Sequence, residues 1–491
     1  MKIYCDHHIC RVEGEREEML ELHWRLSGTA NDKPFTLMLR DPNGGQMIWT
    51  GLLDHVEREL GALFPIEVHN RPEPGPDIDK IEPVTLQGID LREYQQAAIR
   101  VALNAKRGII EAGTGSGKTE IMIGILQWLL DHKRIRTATI IVNTDRLADQ
   151  TKERMIARGF PEGLIGVLKG GQIVTDRPLT VAISNSLYRG INSGWSSILS
   201  LLRESHALIF DECHHLRAES WANIGSICPA EYRYGFSATP FSSPLGTDLL
   251  DLQCIGIAGP RIYRLPAWIL IKEGNLAKPE IHPVPSNGLK IDTEIGDWAT
   301  VYREGVVQNE LRNNQIADAA IWSYEKGCST VIFVQHKQHG HLIHDLLTRR
   351  GYEDSILCTG GKEVYVWDRG AIRRRKWELS QLHEHISSAS ISICTPFLDE
   401  GVDISGINFI VYAAAGKHPR QLLQRLGRGM RLKENSVLGN HCIVIDFLDT
   451  AHPYLKTQST KRLKVYRDSH LEIKRGTSLL KEIYSNSEDS V

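Results

Sequence analysis

Short apolar runs alternate along this chain with longer stretches in which apolar residues recur every three or four positions. Five runs, RGIIEA (107–112), ATIIVN (138–143), LTVAIS (179–184), HALIFDE (206–212) and YRYGFSA (232–238), are β-rich and too short to be helices. Each is followed by a helical pattern, the order of a parallel sheet, whose neighbouring strands need a helical crossover between them. A second series, TVIFVQ (330–335), SILCTG (355–360), ISICTP (391–396), NFIVYAAA (408–415) and CIVIDF (442–447), repeats the arrangement, with helix-like stretches at 340–350 and 420–426. Ahead of both, the alternation of ICRVEG (9–14), the helical spacing of Met19, Leu20, Leu22 and Leu26, strand-like FTLML (35–39) and a helix over 52–63 predict a compact α+β module.

The stretch NRPEPGPDIDKIEP (70–83) carries four prolines and no helical period, so it reads as an extended linker. The predicted organisation is a small α+β domain over 1–70, a linker over 71–87, an α/β lobe over 88–245 and an interlobe connection over 246–285. A second α/β lobe follows over 286–448, and a polar extension over 449–491. The connection is expected to hold short irregular elements, because Pro240, Pro244, Pro260, Pro266 and Pro279 interrupt its pattern.

Composition agrees with three domains. A length of 491 residues exceeds what one core serves, and 41% hydrophobic with 24% charged residues excludes disordered and fibrous classes. No window approaches the ~18 apolar residues of a membrane span, and the N-terminus runs directly into charge. The expectation is a cytoplasmic protein of a bacterial or phage-infected cell, with no membrane partner. Nine cysteines, an odd count without a C-x-x-C pair, predict reduced thiols and neither a disulfide framework nor a zinc ribbon. The 58 basic and 60 acidic residues nearly balance, but residues 1–90 hold 9 against 17, leaving 49 against 43 in the remainder. The acidic module is a poor phosphate-binding face, and the rest is mildly basic.

The strongest chemical signal is EAGTGSGKTE (111–120), placed between an apolar strand and the apolar helix IMIGILQWLL. Its spacing is that of the phosphate loop G-x-x-x-x-G-K-[ST], with Ala112 at the first glycine. Gly113, Thr114, Gly115, Ser116 and Gly117 turn backbone N–H groups toward phosphate oxygens. Lys118 reaches the β and γ phosphates, and Thr119 offers its hydroxyl to Mg²⁺. Downstream, Asp211 and Glu212 stand at the end of an apolar strand. Taken alone, a DE pair there reads first as a helix N-cap. After a phosphate loop in the same lobe it reads as a magnesium ligand, Asp211, and a residue that orients the attacking water, Glu212.

Together these residues resemble superfamily 2 helicases of the DExH type, over about residues 88–448. LREYQ (91–95), AGTGSGKT (112–119), VNTDRLADQ (142–150), VAISNSL (181–187), DECH (211–214) and SATP (237–240) stand in the order of that family's first-lobe motifs. VIFVQHKQHG (331–340), CTPFLDEGVDI (394–404) and QRLGRGMR (424–431) stand in the order of its second-lobe motifs. The resemblance implies two RecA-like parallel-sheet lobes in tandem, with ATP and Mg²⁺ as cofactors. By motif position it implies that Gln95 reads adenine, Gly401 and Asp403 meet the nucleotide, and Gln424 faces the γ-phosphate region. It also implies Arg428 and Arg431 as arginine fingers, with Arg425 at the i, i+3, i+6 spacing of one helical face. The resemblance further implies that His214, Ser237 and Thr239 couple the nucleotide to the nucleic-acid track, and that ATP should close the cleft that hydrolysis releases.

For the track, motif position offers Arg146, Ser186, Lys337 and Thr395. The run RGAIRRRK (369–376), with Arg373 and Arg374, and the group Lys461, Arg462, Lys464 and Arg467 add basic patches that read equally as solvated surface. Trp367 and Trp377 flank the run and offer stacking, or core packing. The layout resembles most the XPB-like and phage UvsW-like branch, on DECH with His215, EGNLAKPEIHPV (273–284), QRLGRGMR and the N-terminal module. That resemblance implies 3′-to-5′ translocation on DNA by a monomeric motor, remodelling of forks, junctions or R-loops, and a wedge or branch-sensing role for the module. A restriction-system motor, an RNA helicase with RNA as partner, and an ATP-gated clamp or annealing factor are the alternatives. The opening Cys5, Asp6, His7, His8 and Cys10 read as surface or an edge strand, not a metal site, because adjacent strand residues face opposite ways.

Overall fold

The structure, a computed structural model, describes the chain other than residues 43, 171, 243–245, 287–290, 293–296, 361–362, 388–389, 397–406, 417–437, 477 and 485–491. It divides into two compact units, Met1–Leu265 and Pro266–Val491.

In the first unit, β1 (Lys2–Cys5) and β2 (Ile9–Glu13) form a hairpin, and β3 (Ser27–Ala30) and β4 (Lys33–Thr36) form a separate one. Strands β5 (Leu39–Arg40), β6 (Gln46–Trp49) and β7 (Glu67–His69) complete a five-stranded sheet of order β5-β6-β2-β1-β7. Predicted strand 35–39 is thus broken: Leu37 bonds back to the Leu26 carbonyl at 2.8 Å, and its side chain is buried at the break. β1 lies inside the sheet, not at its edge, with Cys5 opposite Cys10 and both buried.

The larger sheet of this unit holds β8 (Arg107–Ala112), β9 (Ala138–Val142), β10 (Ile165–Lys169), β11 (Gln172–Ile173), β12 (Leu179–Ile183), β13 (Ala207–Asp211), β14 (Tyr232–Ser237) and β15 (Arg261–Leu265). Its order is β11-β10-β12-β9-β13-β14-β8-β15, parallel except for β11. β9 and β12 are buried along their whole length, which is why they read as unbroken apolar runs.

The N-terminal module and this sheet share one hydrophobic core, in which Ile3, Leu22, Trp49 and Val56 belong to the same cluster as Phe210, Cys254 and Ile257. The Trp49 indole donates to Ser226 Oγ at 3.2 Å. Backbones close up at this seam, where a Cβ on Gly51 would collide with the Ile255 carbonyl oxygen. The proline-rich stretch straps the helix Glu93–Ala105: Gln96 exchanges hydrogen bonds with both backbone groups of Val84, and Asn104 donates to Pro76 O at 2.9 Å.

The second unit is built on β16 (Lys278–Pro285), β17 (Thr330–Phe333), β18 (Ile356–Gly360), β19 (Glu363–Asp368), β20 (Ala371–Lys376), β21 (Ile391–Cys394), β22 (Phe409–Tyr412), β23 (His441–Leu448) and β24 (Glu472–Ile473). The order is β20-β19-β18-β21-β17-β22-β23-β16-β24, parallel except for β19, which runs against both of its neighbours. Position by position this is the first lobe's order. β18, β21, β17, β22, β23, β16 and β24 occupy the places of β10, β12, β9, β13, β14, β8 and β15.

The segment expected to be an irregular connection is ordered. It holds the helix Leu249–Ala258 and gives β15 to one sheet and β16 to the other. Pro279, Pro283 and Pro285 lie in β16 at the same parity as Ile281, whose carbonyl accepts from Lys474. Their missing N–H groups therefore face the side where β24 pairs at only two positions, Glu280 and Ile281. Among the described residues no helix is long and apolar enough to cross a membrane.

Candidate active site

Strand β8 leads directly into the glycine-rich loop. Gly115 and Gly117 adopt φ of 83° and 76°, and Gly117 caps the helix Lys118–Asp131, whose first N–H groups have no intrahelical partner. Such an end attracts phosphate. A Cβ on Gly117 would also collide with Gln95 Nε2. Gln95 is buried, accepting from Arg92 N at 2.9 Å and donating to Ser116 O at 3.1 Å. In this structure its amide braces the phosphate loop.

Strands β13 and β14 bring the remaining groups to the same end of the sheet. Lys118 Nζ lies 3.8 Å from Glu212 Oε1 and 3.5 Å from the Ala112 carbonyl. Glu212 has left-handed φ and ψ of 52° and 53°, a strained conformation for a non-glycine residue. Its Oε2 accepts from the Ser237 hydroxyl at 3.3 Å and lies 3.3 Å from His214 Nδ1, which is 3.1 Å from Ser237 Oγ. Thr239 N donates to the same Ser237 oxygen at 3.2 Å. Lys118, Glu212, His214, Ser237 and Thr239 thus form one connected set, and Asp211 joins it by accepting from Glu212 N at 3.1 Å.

Electrostatics separate the two acids. Burial and then the neighbouring Glu212 charge push Asp211 up to about 6. Burial would raise Glu212 too, but Lys118 and the histidine pair outweigh it and hold that carboxyl at about 2. Glu212 is therefore an ionised acceptor at neutral pH. The buried hydroxyls of Ser116 and Thr239 have no hydrogen-bond partner among the described residues. Nor, among those residues, do three or more His, Cys, Asp or Glu cluster as a metal site. A site with one carboxylate, Asp211, and one hydroxyl, Thr119, still fits magnesium, which takes its other ligands from water and nucleotide phosphates. The orphaned hydroxyls and the costly ionisation of Asp211 agree with a phosphate chain and a cation there.

The nucleic-acid candidates divide. Arg146 and Ser186 lie in the first turns of the helices Asp145–Ala157 and Ser184–Asn192, which follow β9 and β12. Lys337 begins the helix after β17, largely exposed and 3.8 Å from Glu363. Thr395 is buried with its hydroxyl given to the Cys358 carbonyl at 3.3 Å, so it has no donor left for a phosphate. Arg373 and Arg374 sit on the exposed β19–β20 hairpin, paired with Asp368 at 3.8 Å and Glu363 at 3.1 Å. Arg462, read from sequence as part of a basic patch, is fully buried. It holds Asp446 at 3.0 Å and the Phe447 carbonyl at 2.6 Å, and Tyr466 donates to Asp446 at 2.7 Å. The polar helical pattern hid this brace; its only trace is Asp446 inside the apolar run CIVIDF. Gly401, Asp403, Gln424, Arg425, Arg428 and Arg431 lie outside the described residues.

Comparisons with known proteins fall on both lobes. Residues 88–242 match the family described as type III restriction enzyme, res subunit, and residues 312–433 match the helicase conserved C-terminal domain. The DNA 3′-5′ translocase XPB2 of Sulfurisphaera tokodaii is 25% identical over 391 residues, 72% of this chain and 82% of that protein. The structure of S. cerevisiae Dbp5 bound to RNA and ADP BeF3 shares the fold, with a TM-score of 0.53 and 14% identity over 84% of this chain and 94% of that one. The crystal structure of T4 UvsW aligns over 96% of this chain and 98% of its own, with a TM-score of 0.45 and 17% identity.

Proposed function

Since the chain is a superfamily 2 helicase related to XPB-type translocases, we propose that it is an ATP-dependent DNA helicase or translocase that remodels branched DNA in recombination, repair or replication. The observation that carries this is the linkage of Lys118, Glu212, His214 and Ser237 at one sheet end. It joins the residue suited to hold phosphate to the strand end β14 through the residue suited to hold water. The DNA preference is supported by the translocase relative, and the branch preference by a module that shares the first lobe's core and would travel with it as a wedge between strands.

In this reading the loop N–H groups and Lys118 bind the β and γ phosphates, while Thr119 and Asp211 would hold magnesium. Bound magnesium would neutralise charge building on the transferred phosphoryl group. Glu212, ionised, accepts a hydrogen bond from the attacking water and aims it. Loss of the γ-phosphate changes what Glu212 faces, and Ser237 and His214 feel that change directly through their contacts to its Oε2. Arg428 and Arg431 are assigned to compensate transition-state charge.

The test is ATP-dependent displacement of a labelled strand from a fork, a Holliday junction, an R-loop and a plain tailed duplex. Faster conversion of the branched substrates supports the reading, and activity confined to RNA duplexes overturns it. A second reading, a restriction-system motor, draws on the family matched at 88–242. It predicts translocation without strand displacement.

A further inference from the structure

The carboxyl ends of β17 and β22 enclose a pocket of about 480 Å³ in the second unit. The chain leaves β17 for β18 on one side of the sheet and β22 for β23 on the other, so the pocket sits at a topological switch point, where open parallel sheets bind ligands. In the first lobe the corresponding strands are β9 and β13, and the latter ends in Asp211. Here the strand ends supply Gln335, His336, Ala414 and Gly416 instead.

The remaining walls are aromatic and amide. Trp298 and Tyr302 come from the short helix Trp298–Tyr302, which runs into a π-helical turn, Arg303–Val307. Tyr302 is held in place: its hydroxyl donates to the Ala414 carbonyl at 2.7 Å, and its ring meets His336 edge-on with centroids 5.1 Å apart. Trp298 and Tyr454 keep 40% and 42% of their surface exposed. Gln458 has a buried Oε1 without a hydrogen-bond partner among the described residues.

No Lys, Arg, Asp or Glu is among the described lining residues. These aromatic and amide walls match a ligand that is flat, aromatic and edged with donors and acceptors. We propose that this pocket takes a single nucleobase, stacked on Trp298 and Tyr454 and met at its edge by the Gln458 and Gln335 amides. The base is carried by a single strand whose phosphates stay outside, where Lys337 follows His336 in the chain. The inference rests on the reading of the protein as a nucleic-acid motor and adds a base-dependent contact to it.

The test uses the full chain and two oligomers of equal length, oligothymidylate and its fully abasic counterpart, at one fixed salt concentration. Wild type binds the abasic oligomer more weakly. Trp298→Ala and Tyr454→Ala cut that difference about ten-fold, a change of the size alanine substitution makes in base stacking, while Trp298→Phe keeps it. A 2-aminopurine placed in the strand is quenched by wild type and not by Trp298→Ala. Variants that keep the wild-type difference overturn the pocket alone, whereas a wild type that binds neither oligomer overturns the motor reading with it. Saturation of the pocket by micromolar adenosine, read as loss of 2-aminopurine quenching, assigns it to a free nucleoside and overturns the strand-borne base.

Discussion

The two lobes share one strand order and differ in what stands at the strand ends and what neutralises the core. In the first, β8, β13 and β14 end in a glycine-rich loop, an acid pair and Ser237; in the second, β17 and β22 end in Gln335, His336 and a run of alanines. The buried arginines differ in the same manner. Arg233, on β14, gives its recorded hydrogen bonds to the carbonyls of Ile257, Cys228 and Gly225, at 2.7, 2.5 and 2.7 Å. Arg462 instead faces the Asp446 carboxylate on β23, the strand in the corresponding place. Burial lowers the pKa of Arg233, whereas the carboxylates around Arg462 outweigh burial and raise it. One topology thus carries a glycine-rich loop and an acid pair in one copy and an arginine–carboxylate brace in the other, because strand order fixes where ligands bind but not which ones.

The largest effect should come from the brace. Arg462→Met leaves Asp446 buried without its counter-charge and should cost about 3–5 kcal/mol, read as a shift of the second lobe's unfolding transition to lower denaturant. Next, Lys118→Ala should lower ATP turnover about 100- to 1,000-fold with the circular dichroism spectrum unchanged. Lys337→Ala, at a strand end of the other lobe, should instead weaken nucleic-acid binding and reduce its salt slope by about one.

A pH effect follows from the arginine contrast. Burial, then the charge of Arg233 and that of Arg107, lower His8 to about 3, with Asp6 opposing. Its folded pKa lies below the unfolded value of 6.5. Stability is therefore full above about pH 6.5 and falls as acid protonates the unfolded chain first, by about 2 kcal/mol at pH 5. Acid titration should destabilise the first lobe, and His8→Gln should flatten that slope. The smallest effect belongs to the β19–β20 hairpin, where Arg374→Ala should change stability by less than about 1 kcal/mol, since its partner is Glu363 at an exposed surface.

Much of the fold and of the phosphate loop is legible in the sequence itself. Buried parallel strands have to be apolar on both faces, so ATIIV and LTVAI announced themselves, and the phosphate loop needs glycine, lysine and threonine at fixed spacing. Pairings decided by distant contacts were not legible. β16 looked like a connection because prolines normally break strands, and only its weakly paired side makes them tolerable. Arg462 looked like surface because a buried arginine shows only in its partners, which are 16 residues away at Asp446 and 15 away at Phe447. The welding of the module to the first lobe had no sequence signature, since Trp49 and Gly51 carry it by shape.

The most direct test of the central claim, that the first lobe's strand ends form an ATPase driven by DNA, is the rate of phosphate release. It should be measured for wild type and Glu212→Gln with single-stranded DNA, forked DNA, Holliday junction, R-loop and single-stranded RNA at one salt concentration. Branched DNA should strongly stimulate the wild type and leave the variant, which should still bind ATP, unstimulated. Equal turnover in the two proteins, or stimulation by RNA alone, would contradict the central claim.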